Sequence, residues 1–302
     1  MTSIAGKILA RDTRALARAA TWIEDRYPEA EPLLKEIFPH TGRALVLGIT
    51  GPPGAGKSTL CDALACALRA EGKTVAILAV DPTSPFSGGA ILGDRVRMQR
   101  HHADPGVFIR SMATRGWLGG LARATTETTL LLDAAGFDVV LVETVGAGQD
   151  EVEIARLADV TLVVLVPGMG DDVQALKAGI MEIADVFLIN KSDLPGAEKL
   201  ERELRASLGL AHRPDGWTPP IVATVASEGK GIAEALAGAR EYRERGVDSS
   251  RKAEIWSARL REMLRERLLD RIPAEECAAR GREVAERKRD PFSIVNDWIA
   301  KY

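Results

Sequence analysis

The sequence has few cysteines and little net charge, and each scarcity excludes a class of protein. Three cysteines in 302 residues do not support a disulfide framework and suit a reducing compartment. The 40 basic and 43 acidic side chains nearly cancel, so charge gives no reason to expect a nucleic-acid or membrane partner. No apolar run reaches the roughly 18 residues of a membrane-spanning helix, and residues 1–14 lack a signal-peptide core. We therefore expect a soluble cytoplasmic protein.

Two of the cysteines, Cys61 and Cys66, fall on one predicted helix. They lie five residues apart, so their side chains are expected to point in different directions, and no histidine lies beside them in the sequence. We interpret them as small buried apolar residues rather than as metal ligands.

The clearest motif runs from Gly51 to Ser58, where G-P-P-G-A-G-K-S matches the P-loop pattern G-x-x-x-x-G-K-[ST]. An apolar run over 44–49 precedes it and a helical pattern over 58–70 follows, which is the context that the motif requires. Its glycines let the backbone fold around a phosphate, and the helix start adds N–H groups and a dipole. Lys57 is predicted to reach the β- and γ-phosphates, and the Ser58 hydroxyl to bind Mg²⁺. The predicted nucleotide contacts are Gly51, Pro52, Pro53, Gly54, Ala55, Gly56, Lys57, Ser58 and Thr59.

Apolar runs alternate with helical segments through the middle of the chain. The runs predict strands at 44–49, 74–80, 107–110, 139–142, 160–166, 186–189 and 221–225. Helical patterns at 58–70, 121–135 and 173–182 lie between them. Two glycine-containing stretches, 81–100 and 111–120, are predicted to be loops, and the tail of the first, at 95–102, has a helical pattern. The alternation predicts an α/β P-loop fold, with a mostly parallel central sheet flanked by helices.

A second motif, N-K-S-D at residues 190–193, indicates which base is bound. An Asp193 carboxylate can accept hydrogen bonds from guanine N1–H and the exocyclic amine, whereas adenine offers an acceptor at N1. Hydrogen bonds to charged groups contribute about 1.5–3 kcal/mol each, which is enough to discriminate strongly. We therefore predict GTP or GDP as the ligand. The predicted guanine-side contacts are Asn190, Lys191, Asp193, Val225, Ala226 and Ser227.

Acidic residues near predicted strand ends suit a magnesium site. Asp81 and Glu143 each follow an apolar strand, and Asp94 lies in the loop between them, where it could alternatively cap a helix. With Ser58, these residues are the predicted metal ligands, and Asp94 and Glu143 join Lys57 as the predicted catalytic residues. The E-x-x-G motif at 143–146 is followed by alanine rather than by a water-orienting glutamine, so slow intrinsic hydrolysis is expected.

Helical extensions flank the predicted core. Residues 11–37 predict two helices that break at Pro28 and Pro32 and pack on the core. After residue 248, Trp256, Leu260, Leu264, Leu268 and Ile272 recur every four residues and form one apolar stripe. This stripe is predicted to contact the same chain or a second subunit. The predicted regions are an N-terminal helical extension at 1–42, a P-loop GTPase domain at 43–248 and a C-terminal helical dimerisation arm at 249–302.

Four segments of the sequence belong together. They are G-P-P-G-A-G-K-S-T at 51–59, A-V-D-P-T-S-P-F-S-G-G-A-I-L-G-D-R-V-R-M at 79–98, V-E-T-V-G-A-G-Q at 142–149 and N-K-S-D at 190–193. Together they resemble the MeaB family, which includes ArgK-type proteins and the human methylmalonic aciduria type A protein. The resemblance covers nearly the whole chain. It implies a homodimeric GTPase chaperone that gates adenosylcobalamin delivery to a methylmalonyl-CoA mutase-type enzyme and protects or reactivates that enzyme. It also implies phosphate, Mg²⁺ and hydrolysis roles for Lys57, Asp81, Asp94 and Glu143, and guanine recognition by Asp193.

Two other classes share the P-loop core. A nickel-inserting metallochaperone GTPase usually carries histidine-rich tracts or cysteine metal sites, whereas this chain has four histidines and no C-x-x-C. A P-loop kinase would use ATP, which N-K-x-D disfavours. Comparing the binding of GTP and ATP distinguishes the kinase from the GTPase chaperone. Measuring metal binding by the nucleotide-free protein distinguishes the metallochaperone.

Overall fold

The computed structural model describes residues 3–81, 99–101, 103–113, 120–144, 157–168, 181–210, 213, 215–246 and 249–301. The chain divides into two compact units, Met1–Gly246 and Val247–Tyr302. No helix in these described ranges is long and apolar enough to cross a membrane.

The first unit is built on a seven-stranded sheet in which every pairing is parallel. The strand order is β3-β2-β4-β1-β5-β6-β7. The strands are β1 (Leu45–Thr50), β2 (Val75–Asp81), β3 (Val107–Ala113), β4 (Val139–Thr144), β5 (Val160–Leu165), β6 (Val186–Asn190) and β7 (Ile221–Thr224). This architecture confirms the predicted fold class, and each strand lies within three residues of its predicted bounds.

The largest difference concerns β3, which continues through Ser111 and Met112 to Ala113. The prediction of a loop beginning at residue 111 is therefore wrong at its start. Pairing with β2 explains the extension, because Ser111 and Met112 lie opposite Ala79 and Val80 in the parallel register. Met112 is also buried in the core, so tertiary pairing outweighs the local loop signal.

Helices cover both faces of the sheet because the strands are apolar on both faces. They are α1 (Ile4–Leu9), α2 (Thr13–Glu24), α3 (Ala30–Ile37), α4 (Lys57–Ala70), α5 (Gly120–Ala134), α6 (Ala197–Leu210) and α7 (Ile232–Glu244). One core cluster joins α1, α2, α3 and α5 to the sheet, and a second joins α4 and α7 to it. The helix predicted at 173–182 lies mostly outside the described residues.

The N-terminal helices pack on the core, as expected. Their break is at Asp25–Glu29, whereas Pro32 lies in the first turn of α3, where its missing N–H costs no helical hydrogen bond. The predicted break at Pro32 is therefore wrong. The Arg11 guanidinium donates to the carbonyls of Ala135 and Gly136, and this contact fixes the extension to the end of α5.

Within residues 249–301, the second unit contains three helices, α8 (Ser249–Asp270), α9 (Ala274–Ala285) and α10 (Pro291–Lys301). The breaks coincide with Pro273 and Pro291. Several large apolar side chains of this unit are exposed, namely Trp256, Leu260, Leu264, Leu268, Leu269, Phe292, Val295 and Ile299.

Candidate functional site

The P-loop connects the C-terminal end of β1 to the start of α4, and two of its glycines are required by close contacts. A Cβ on Gly51, whose φ is +139°, would lie 2.1 Å from the Val164 carbonyl oxygen. A Cβ on Gly56, whose φ is +86°, would lie 2.6 Å from the Asn190 side-chain nitrogen. The loop therefore passes too close to β5 and β6 to carry side chains at these positions.

The Lys57 side chain is buried beneath this loop. Its ammonium donates to the carbonyl of Gly51 over 2.7 Å and to that of Pro52 over 2.9 Å. These contacts hold the positive charge at the start of α4, where backbone N–H groups and the helix dipole also favour an anion. The predicted phosphate-binding elements are thus brought together.

Ser58 and Glu143 form the clearest polar contact at this site. The Ser58 hydroxyl donates to Glu143 Oε1 over 2.6 Å. Glu143 is buried near the end of β4, where it lies opposite Ile49 of β1 in the sheet register. Two predicted metal ligands, 85 residues apart in sequence, are therefore within hydrogen-bonding distance.

The remaining predicted metal and catalytic residues are less fully described. Asp81 is the last residue of β2, and the preceding Val80 pairs with Thr144, so its backbone lies at the same sheet edge as Glu143. Asp94 and the glycine, alanine and glutamine of the E-x-x-G region lie outside the described residues.

Asn190 connects the predicted guanine-recognition motif to the P-loop. Its buried amide donates to the Ala55 carbonyl over 2.8 Å, and its Oδ1 accepts from the Ala226 N–H over 3.1 Å. The neighbouring Lys191 ammonium donates to the Gly54 carbonyl over 3.0 Å. These contacts link the N-K-S-D segment to the P-loop backbone, and the guanine contact of Asn190 stays a prediction.

The residues after β7 were predicted to offer guanine a backbone N–H, and the structure shows which of their N–H groups already have an acceptor. The N–H of Val225 donates to the Lys230 carbonyl, and the N–H of Ala226 is taken by Asn190. Ser227 occupies the second position of a 3₁₀ turn, Ala226–Glu228, where the N–H has no acceptor within the turn. Of the three predicted residues, Ser227 is the best placed to donate.

Lys230 lies beside the turn that follows β7, near enough to feel the charge of Asp193, and the sequence analysis did not identify it. Its ammonium pairs with Glu228 at 2.6 Å, and this hydrogen bond, together with the charge of Asp193, raises the pKa of Lys230. No motif marks Lys230, because its position depends on the turn that follows β7.

Cys61 is buried, as predicted, whereas Cys66 is only half-buried and lies close to a histidine. His101 Nε2 lies 3.8 Å from Cys66 Sγ and 2.8 Å from Asp62 Oδ1. His101 lies 35 residues beyond Cys66, so sequence proximity could not reveal the contact.

Comparisons with known proteins identify relatives with GTPase names and a solved structure with a similar fold. A family model described as methylmalonyl Co-A mutase-associated GTPase MeaB matches residues 16–278. A Pyrococcus abyssi protein that carries a GTPase name is 50% identical over 301 residues, covering 96% of this chain and 93% of that protein. The mitochondrial methylmalonic aciduria type A homolog of Mus musculus is 36% identical over 256 residues, covering 79% and 62%. A crystal structure of an LAO/AO transport system kinase is similar with a TM-score of 0.74 at 30% identity, covering 98% and 95%.

Proposed function

The chain belongs to the MeaB family of methylmalonyl-CoA mutase-associated GTPases, and from this premise we propose a GTP-dependent chaperone. It binds and hydrolyses GTP, gates adenosylcobalamin loading of a methylmalonyl-CoA mutase-type enzyme, and protects or reactivates that enzyme. The observation that carries the proposal is the hydrogen bond of Ser58 to Glu143, because it joins the phosphate loop to the strand that leads into the E-x-x-G region.

The residues present fit a magnesium ion. The Ser58 hydroxyl and the Glu143 carboxylate supply hard oxygen donors 2.6 Å apart, and Mg²⁺ needs only one or two such protein ligands beside phosphate oxygens and waters. Asp81 and Asp94 complete the proposed ligand set. When bound, the ion neutralises charge that develops on the β- and γ-phosphate oxygens.

Each described site residue has a distinct task in this proposal. Lys57 binds the β- and γ-phosphates after exchanging its contacts to the loop carbonyls for contacts to the nucleotide. Asp193 accepts the two guanine donors, and the Ser227 N–H donates to guanine O6. Asn190 keeps the base-binding turn and the phosphate loop at a fixed separation.

Hydrolysis is proposed to be slow without a partner and faster with one. Alanine follows the glycine of E-x-x-G, so no side chain at that position orients the attacking water. Glu143 senses the γ-phosphate through its contact with Ser58, and a mutase that fixes the loop beyond β4 compensates for the missing glutamine.

Single-turnover GTP hydrolysis with and without an adenosylcobalamin-dependent methylmalonyl-CoA mutase tests this function. We expect the mutase to accelerate the wild-type protein and to have no such effect on Glu143→Ala, while GDP affinity changes little. Glu201→Ala, on an exposed helix face, serves as the control and should respond like wild type. Equal hydrolysis rates with and without the mutase, once the complex is shown to form, would contradict the proposal that the mutase accelerates GTP hydrolysis.

The kinase alternative is tested by nucleotide choice. Asp193 offers an acceptor where adenine also offers one, so ATP should bind far more weakly than GTP. Comparable ATP affinity, together with phosphate transfer to a second substrate, would favour the kinase.

A further inference from the structure

One turn of α4 and the segment before β3 bring three metal-binding side-chain types together. Asp62 and Cys66 are four residues apart on α4, so their side chains lie on the same face of the helix. His101 is the last residue of the 3₁₀ turn Gln99–His101, which precedes β3. One ligand atom from each of these side chains lies within 4.8 Å of the others.

The distances are close to those of a tetrahedral metal centre. With metal–sulfur bonds of about 2.3 Å and metal–nitrogen or metal–oxygen bonds of about 2.0 Å, tetrahedral ligand atoms are separated by about 3.3–3.6 Å. Cys66 Sγ lies 3.8 Å from His101 Nε2, and Asp62 Oδ1 lies 2.8 Å from the same nitrogen. These two distances differ from the tetrahedral values by about half an ångström or less, and an Asp62 carboxylate oxygen lies within 4.8 Å of Cys66 Sγ.

Burial and charge also suit a bound cation. Asp62 and His101 are buried, whereas Cys66 is half-buried and leaves a side open to solvent. Arg100 now pairs with both Asp62 oxygens, but its side chain is 57% exposed and can retain Oδ2 while Oδ1 turns to an ion. The cluster can therefore bind a metal without leaving the buried carboxylate unpaired.

The donor set distinguishes this cluster from the magnesium site. Thiolate, imidazole and carboxylate together suit Zn²⁺ and its neighbours in the first transition row, whereas Mg²⁺ prefers oxygen ligands alone. Asp62 lies one helical turn beyond Ser58 on α4, which corresponds to about 6 Å along the axis.

We propose that Asp62, Cys66 and His101 form a binding site for one divalent transition-metal ion of the Zn²⁺ class. The site has three protein ligands and one open position, which is the coordination of zinc sites that exchange a ligand. Because it links α4, which begins at the P-loop, to the segment that leads into β3, an ion there would fasten the two together.

The test uses Co²⁺ as a spectroscopic probe on the full-length, GDP-bound protein in excess Mg²⁺, which keeps it separate from the assay on the nucleotide-free protein. We expect one equivalent of Co²⁺ to produce sulfur-to-cobalt charge-transfer absorption, and Zn²⁺ to abolish it by displacement. Cys66→Ser and His101→Gln should each lose the absorption and bind Zn²⁺ at least about tenfold more weakly.

The other two cysteines provide matched controls. Cys61→Ala removes a buried thiol from the same helix, and Cys277→Ser removes an exposed thiol from α9, so both should keep the signal. Circular dichroism and GDP binding show whether each variant is folded, and His101→Gln can preserve the hydrogen bond to Asp62. Absence of stoichiometric binding by the wild type, or persistence of the absorption in folded Cys66→Ser, would overturn the proposal.

Discussion

Asn190 and Ala55 are joined by a hydrogen bond of 2.8 Å between the asparagine amide and the alanine carbonyl, across 135 residues of sequence. The same side chain accepts from the Ala226 N–H, so one buried amide fixes the P-loop, the end of β6 and the turn after β7. One buried side chain therefore connects the segments that we propose to bind the base and the phosphates.

Asn190→Ala should weaken GTP and GDP binding by similar factors. The substitution leaves the Ala55 carbonyl and the Ala226 N–H without their partner, at a cost of about 1–3 kcal/mol, or roughly fivefold to 150-fold in affinity. Fluorescent-nucleotide titration measures the effect. Thr224→Val is the control, because it removes only the longer 3.3 Å contact to Asn190 Oδ1. A loss confined to GTP would contradict a role in positioning both halves.

Gly54 and Gly56 of the P-loop allow the contact between Asn190 and the loop to be tested by changing the loop instead of the asparagine. Both have positive φ, +75° and +86°, so alanine strains the backbone similarly at either position. Only Gly56→Ala also drives a Cβ against the Asn190 amide, since nothing lies within 4 Å of a Cβ at Gly54. Gly56→Ala should therefore weaken GDP binding more than Gly54→Ala, as measured by calorimetry. Equal losses would show that Asn190 adjusts without cost.

Asp193→Asn should exchange the base preference. An asparagine amide can donate to the O2 of xanthine, where the wild-type carboxylate accepts from the guanine amine. We expect GTP affinity to fall by at least tenfold, in line with about 1.5–3 kcal/mol per charged hydrogen bond, and xanthosine triphosphate to bind more tightly than GTP. Competition binding measures both. Unchanged GTP affinity would reject the assignment of Asp193.

The sheet could be predicted from the sequence because its strands are apolar on both faces. The strands β1, β4, β5 and β6 are buried along their whole length and therefore stand out as continuous apolar runs. The edge strand β3 includes Arg110 and Ser111, and its last residues are strand only because β2 pairs with them. The residues around 111–113 alone do not predict that they pair with β2.

In the candidate site, too, the sequence predicts contiguous motifs but not contacts between residues that are distant in the chain. The P-loop and N-K-x-D are contiguous motifs, so spacing alone identifies them. The partners of Asn190 and the approach of His101 to Cys66 depend on strand order and on how α4 lies against the sheet. Neither contact has a signature in residue spacing.

The last prediction concerns the apolar stripe of α8. Leu260 and Leu264 are each 60% exposed and lie one turn apart, and Trp256 and Leu268 continue the same row. Ile272, the fifth member of the predicted stripe, is half-buried. A row of exposed large apolar side chains on a highly charged helix is typical of a surface that another chain covers.

We propose that this stripe is buried in a homodimer, and that disrupting it yields a monomer that still binds GTP. The double variant Leu260→Lys, Leu264→Lys should halve the mass measured by light scattering at micromolar concentration, because two charges would be desolvated in the interface. The matched control Glu262→Lys, Glu266→Lys changes the charge in the same direction at two half-exposed sites of α8 and should stay dimeric. Truncation after residue 248 removes all three C-terminal helices and should give the same monomer with unchanged GDP affinity, since every described nucleotide-site residue precedes it. A wild-type protein that is already monomeric at that concentration would contradict the prediction, and a dimeric truncation would move the interface to the first unit.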